Sequence, residues 1–223
     1  IFGSLAGIEI ELKECTTNAT IQGHDYVGGI IGYAESLPFK SIEKCNSIIS
    51  LSGNDYVGGI LGGNKNIPPT LHNGSNYNHF ESYKDEIINQ QSLSSTLSNC
   101  WVISRSLVGN KGAGGVVGNA YYGYAVASSQ RIYVSYYDNE SVERYMTFYK
   151  YGQNTLAISN CYFNGNIQGT ENVGGISGWQ DAGDITKSYA NATILGKTNV
   201  GGIVGEMTCS AATANITANS TMN

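Results

Sequence analysis

Cysteine and histidine supply the nucleophiles, bases and metal ligands of most protein sites. Five cysteines (Cys15, Cys45, Cys100, Cys161, Cys209) and three histidines (His24, His72, His79) are present here. No Cys-x-x-Cys pair and no His/Cys cluster with zinc-site spacing occurs, so no metal ligand set and no cofactor are read from the chain. His24 stands in a turn, and His72 and His79 share one loop with no acidic partner at a catalytic spacing; all three read as solvated side chains. An odd cysteine count fits a closed disulfide framework poorly. What the cysteines share is position. Cys15, Cys45 and Cys161 each lie twelve residues before the Val of a Val-Gly-Gly-Ile segment, and Ser188 lies twelve before Val200. Cys100 is thirteen before Ala113, which reads as one inserted residue, a bulge.

The glycine segments must therefore belong to one repeated structural unit. Tyr26-Val27-Gly28-Gly29-Ile30-Ile31-Gly32 is nearly copied by Tyr56-Val57-Gly58-Gly59-Ile60-Leu61-Gly62, and shorter versions end at Gly118, Gly178 and Gly205. Phe2-Gly3-Ser4-Leu5-Ala6-Gly7 is a degenerate copy. Downstream of each anchor the residues alternate. Cys15, Thr17, Ala19 and Ile21, or Cys161, Phe163, Gly165 and Ile167, are small or apolar; Thr16, Asn18, Thr20 and Gln22, or Tyr162, Asn164, Asn166 and Gln168, are mostly polar. Period two with one apolar set is a strand with one buried face. An aliphatic residue precedes each anchor by three (Leu12, Ile42, Leu97, Ile158, Ile185), and a glycine follows most of them by eight (Gly23, Gly53, Gly169, Gly196). Val27 and Ile30 share a buried side only if Gly28-Gly29 bends the chain, which glycine permits by tolerating positive φ and leaving room at a corner. No 3.6-residue stripe appears. The expected fold is all-β: a parallel β-solenoid (β-helix) of about six coils, forming one domain over 1–223, with identical inward residues stacked at about 4.8 Å.

Two stretches lack the anchor pattern and read as insertions, at about 63–95 and 119–155. The first, with Pro68-Pro69, reads as irregular loop. The second holds nine of the sixteen tyrosines: Tyr121, Tyr122, Tyr124, Tyr133, Tyr136, Tyr137, Tyr145, Tyr149 and Tyr151. Ile132–Tyr137 and Val142–Tyr149 flank Asp138-Asn139-Glu140-Ser141 and read as a β-hairpin. Tyrosine offers large contact area with a polar tip, so this insert is the expected contact surface.

The anchor cysteines read as a row of buried thiols into which Ser188 fits, with a bridge such as Cys15–Cys45 as the alternative. Asp25, Asp55 and Glu171 recur ten past the anchor, and stacked carboxylates could bind calcium or serve polysaccharide cleavage; hydrogen bonding within a Gly-x-Asp turn is the preferred reading, with Thr198 breaking the set. Tyr26 with Tyr56, and Asn172 with Asn199, are expected to form short ladders. Glycosylation sequons stand at Asn18, Asn73, Asn139, Asn191, Asn215 and Asn219, with Asn18 and Asn191 at one outward coil position. The glycine pairs are not a phosphate loop, since no Lys-Ser/Thr follows them. A net charge of −5 with no basic run excludes a nucleic-acid footprint, and no apolar run reaches the ~20 residues of a membrane helix. The first residue is Ile1 and the last segment, from Cys209, resembles half a repeat, so the chain reads as an excised portion of a longer protein or as a unit stacking head-to-tail.

The Val/Ala-Gly-Gly-Ile/Val-x-Gly segments and their preceding strands resemble the GLUG repeat, a glycine-rich β-solenoid element of secreted and surface proteins, among them adhesin-like proteins and immunoglobulin A peptidases. The resemblance implies architecture and an extracellular or cell-surface location; no segment is similar to the zinc-binding helix of the peptidases, so an enzyme is not expected. The expected function is that of an extracellular structural or adhesive module, a filament or stalk subunit, whose partners are copies of itself or a host or cell-surface glycan or protein. The alternative is a carbohydrate-binding or polysaccharide-cleaving β-helix that uses the stacked acidic turn residues.

Overall fold

Four strands recur in a fixed order along the chain, and each stacks on its counterpart one coil later. The structure, a computed structural model, describes residues 2–5, 10–34, 39–64, 94–121, 131–137, 143–149, 155–181, 183–208 and 218–219. Each coil opens with a short strand (Glu11–Lys13, Ser41–Glu43, Ser94–Ser98, Thr155–Ser159, Ile185–Thr186), the short face. A longer strand follows (Thr16–Gln22, Asn46–Ser52, Trp101–Val108, Tyr162–Gln168, Tyr189–Leu195), the long face. The motif face comprises Asp25–Gly28, Asp55–Gly58, Lys111–Gly114, Glu171–Gly174 and Thr198–Gly201. The closing face comprises Ile31–Ala34, Leu61–Asn64, Val117–Tyr121, Ser177–Asp181 and Val204–Thr208, with Phe2–Leu5 paired outside Ile31–Ala34. All four sheets are parallel and in the same coil order. The described residues thus form a parallel β-solenoid of five four-stranded coils plus one strand of a sixth. No helix occurs among them.

Alternation decides what is inside. Ile42, Leu97 and Ile158 stack at 0% exposure on the short face, as do Val57, Ala113 and Val173 on the motif face and Ile60, Val116 and Ile176 at the next corner. Burying such aliphatics removes about 25 cal/mol per Å² of apolar surface from water, so the rows sum to the main stabilising term. The inserted residue is Arg105: the register against Asn46–Ser52 slips between Ser104 and Ser106, as the anchor spacing predicts. The bulge leaves its mark on the next coil, where a Cβ on Gly165 would lie 2.0 Å from the Ser104 carbonyl oxygen.

The glycine pair does bend the chain, and both Val27 and Ile30 are buried. Its reason is space rather than sign of φ. A Cβ on Gly28 would meet Ile31 O of its own corner at 1.8 Å, and one on Gly29 would meet Gly59 O of the next coil at 2.2 Å. Gly59, Gly115 and Gly175 repeat that second contact with the coil after theirs, whereas Gly62, Gly118, Gly178 and Gly205 press on the coil before. The two end members differ: at Gly202, facing onward, and at Gly3, facing back, a Cβ would meet nothing within 4 Å.

Left-handed backbone sits at two other positions per coil. One precedes the motif Val (Tyr26, Tyr56, Asn172, Asn199 and Gly112), and the other precedes the anchor (Glu14, Lys44, Asn99, Asn160, Lys187). Asparagine suits this region and glycine enters it freely. Neighbours on adjacent coils lie against several of them, Tyr56 beside Tyr26 and Lys44 beside Glu14.

The coil strands extend past the expected insert boundaries. Gly63, Asn64 and Asn119–Tyr121 lie on the closing face, Ser94 and Ser95 on the short face. Both insertions leave after the closing face and return before the short face. Arg131–Tyr137 and Glu143–Tyr149 form the expected antiparallel hairpin, and Ala218–Asn219 adds a third antiparallel strand beside Glu143–Tyr149. The last described residues thus join the hairpin sheet rather than opening a new coil.

Candidate functional site

The anchor row is a local corner device as well as a packing slot. Each anchor donates to the carbonyl two residues upstream, across the left-handed residue between: Cys15 Sγ to Lys13 O at 3.5 Å, Cys45 to Glu43 O at 3.5 Å, Cys100 to Ser98 O at 3.2 Å, Cys161 to Ser159 O at 3.3 Å, and Ser188 Oγ to Thr186 O at 2.9 Å. That shared donor role explains why serine substitutes for cysteine. Cys15, Cys45, Cys100 and Cys161 are free thiols, and the last three are buried. Side-chain hydrogen bonds with Cys161 and Cys45, together with burial, push the Cys100 thiol up, while those same bonds hold the Cys45 and Cys161 thiols down. Cys209 lies outside the described residues.

The acidic turn row reads Asp25, Asp55, Lys111, Glu171, Thr198 in register. Lys111 splits it, and its Nζ lies 3.3 Å from Glu171 Oε1. Asp25 accepts from Asn54 Nδ2 at 3.4 Å and from the Asp55 amide at 3.3 Å, and its Oδ2 lies 3.1 Å from His24 Nδ1. The His24 contact holds the Asp25 carboxyl below the usual carboxylate range. These aspartates accept chiefly from the next coil: apart from His24, the partners are Asn54 and the Asp55 amide for Asp25 and Asn110 Nδ2, at 3.4 Å, for Asp55, rather than groups of the same turn. Among the described residues no group of three or more His, Cys, Asp or Glu side chains could hold a metal ion, and no helix is long and apolar enough to cross a membrane.

Beside that row the expected ladders form. The Tyr26 and Tyr56 rings lie 4.9 Å apart, Tyr33 meets Tyr26 edge-on at 4.9 Å, and Asn199 Nδ2 donates to Asn172 Oδ1 at 2.8 Å. A second asparagine ladder, Asn160 Nδ2 to Asn99 Oδ1 at 2.6 Å, marks the other left-handed corner. The anchor−1 position mixes Glu, Lys and Asn, so no composition signal exposes it in the sequence.

Of the tyrosines expected to make contacts, Tyr121 pairs with Asp181 on the closing face. Tyr133, Tyr136 and Tyr137 lie in one hairpin strand and Tyr145 and Tyr149 in the other, while Tyr122, Tyr124 and Tyr151 fall outside the described residues. The register puts Tyr133 opposite Thr147, Tyr145 opposite Ser135 and Tyr137 opposite Glu143. Asn18 and Asn191 are exposed on one outward row of the long face. Asn219 lies in the strand beside the hairpin; Asn73, Asn139 and Asn215, like His72 and His79, are outside the described residues.

The long face carries a feature that the polar half of the alternation contained without declaring. Among its outward side chains in all five coils, only Arg105, on the bulge, is charged. Trp101, Tyr162 and Tyr189 stack in one row, with Tyr162 and Tyr189 centroids 4.4 Å apart. The row beside it runs Asn18, Ile48, Ile103, Asn164, Asn191.

Fold and surfaces together define the class: an all-β repeat protein, a parallel β-solenoid with open sheet edges and laterally displayed side-chain rows. No family model, no curated protein and no solved structure matches this chain.

Proposed function

We propose that the chain is an extracellular structural and adhesive repeat module that stacks end-to-end with further coils, copies of itself included, and engages a glycan or protein surface laterally. The observation that carries this reading is the pair of end glycines. Inner motif glycines are required because a neighbouring coil's carbonyl lies where a Cβ would be; Gly202 and Gly3 keep the glycine with no such neighbour. Both point outward along the axis, to where a further coil would lie. The last coil adds support: Val200 is 46% exposed, whereas Val57 and Val173 in the same slot are fully buried, and three strands of the first coil keep open edges. Open parallel edges with unfilled inward slots favour addition of like coils. The GLUG-like motif supports the surface location, and the Tyr-rich hairpin, which forms a sheet separate from the four coil sheets, is the proposed lateral contact. A polysaccharide-cleaving groove is less favoured, because Lys111 interrupts the acidic row and pairs with Glu171.

Sedimentation of the 223-residue chain over a concentration series, with electron microscopy of the same material, tests the stacking. Concentration-dependent rods are expected, and Gly202→Val is expected to abolish them while leaving monomer melting unchanged. A monomer at every concentration, or rods indifferent to Gly202→Val, refutes it.

A further inference from the structure

We infer that the long face is a docking surface for an uncharged polysaccharide lying along the solenoid axis. This surface is distinct from the coil ends, and the described strands that flank both insertions lie on the closing and short faces. The first argument is charge. Solvent-facing sheet surfaces ordinarily carry charges of both signs, which solvate them and deter association. Apart from Arg105 on its bulge, and Glu14, Lys44 and Lys187 at the corner that precedes it, the described charges gather elsewhere. Glu11, Lys13, Lys40 and Glu43 lie on or beside the short face; Asp25, Asp55, Lys111 and Glu171 lie on the motif face. Apart from Arg105 on the bulge, the face escapes the large desolvation penalty that an uncharged ligand would impose on an unpaired ion.

The second argument is composition in rows. The Trp101–Tyr162–Tyr189 strip supplies apolar area with polar tips, as the apolar face of a sugar ring requires. Beside it, Asn164 and Asn191 offer amide donors and acceptors, which exchange water for hydroxyl partners at little net loss. The aromatic row occupies the last three coils, in register with Asn46 and Thr16 of the first two. It repeats at the strand spacing of about 4.8 Å, so a periodic polymer along the axis meets like groups over those three coils. A second protein copy fits less well. Apart from the Ile48–Ile103 pair the exposed aliphatics are dispersed: Gln168 separates Val108 from Leu195 in register. Protein interfaces concentrate apolar side chains at a core, and strands inside this sheet have no free backbone to add a partner strand.

The test is co-sedimentation of the chain with insoluble cellulose, chitin and β-1,3-glucan, alongside immobilised heparin. Retention on at least one uncharged polymer is expected, insensitive to salt and absent on heparin. Ile103→Glu, at a position 41% exposed, and the near-isosteric Asn164→Asp are each expected to weaken it at least tenfold with melting unchanged. Thr96→Glu, on the already charged short face, is expected to leave it intact. Failure on all three uncharged polymers overturns the inference, as does retention that survives both charge insertions. A lateral dimer that Ile103→Glu dissolves, without glycan retention, reassigns the face to a second copy and overturns it equally.

Discussion

Gly59→Ala measures how tightly the motif corner couples one coil to the next. The new Cβ would lie 2.2 Å from Gly115 O and 2.6 Å from a Val102 methyl. An unstrained carbon–oxygen contact is about 3.3 Å, so the coils must part locally by about 1 Å. Overpacking of a dense interior costs about 1–3 kcal/mol. The same displacement stretches the bonds from the Ile60 and Leu61 amides to Val116 O, now 2.8 and 3.2 Å, and losing one buried backbone bond adds about 1–3 kcal/mol. The expected loss is about 2–6 kcal/mol, which for a chain of this size lowers the melting temperature by roughly 5–20 °C. Gly202→Ala is the matched control: it has the same motif position and backbone, with no atom within 4 Å of the new methyl. In the monomer it is expected to be neutral, or to gain up to about 1 kcal/mol by stiffening the unfolded chain. Thermal unfolding followed by circular dichroism decides between them. Equal melting temperatures for the two variants would refute the idea that glycine is retained for coil-to-coil approach, and with it the reading of Gly202 as facing a further coil.

Three other outcomes are expected. Gly165→Ala alone destabilises, because its φ of +149° is one that residues with a Cβ rarely adopt and the bulge brings Ser104 O to 2.0 Å from its Cβ; deleting Arg105 with it should restore the part due to the contact, a coupling of about 0.5–3 kcal/mol in a double-mutant cycle, and additivity would reject the link. Burial, then the neighbouring Tyr56 and Tyr33, push the Tyr26 hydroxyl up to about 12 from 10.0. Since the folded value is the higher, that contribution is whole below pH 10 and lost as pH rises toward 12; Tyr26→Phe should therefore shift alkaline unfolding upward, read by tyrosinate absorbance, and no shift would count against the burial argument. In a Cys209→Ser background, a thiol reagent should label Cys15 in the native protein and Cys45, Cys100 and Cys161 only on unfolding, since those three are buried in the row; prompt labelling of all four would contradict it.

Much of this molecule is written in short-range pattern. Alternation after each anchor named the buried side of the long face, anchor-to-motif distance placed the bulge at the third coil, and Val27 with Ile30 required the bend at Gly28-Gly29. These are decided by residues within one coil, and a repeat copies them, so the stacking follows from the period. What one coil cannot decide is which residue of another it touches. Lys111 faces Glu171 instead of extending an acidic row, Gly165 answers a bulge some sixty residues upstream, and Ala218–Asn219 closes on the hairpin instead of on a coil. The left-handed corners were hidden for the same reason. Tyr26, Lys44 and Glu14 are poor residues for positive φ; the anchor thiols bridge across Glu14 and Lys44 within their coils, and neighbours on other coils, Tyr56 beside Tyr26 and Lys44 beside Glu14, add to this. The contents of each slot are local to one coil; tertiary contact alone decides which side chains meet across coils, because inserts and bulges change the sequence separation of residues that share a register while the coil order stays the same.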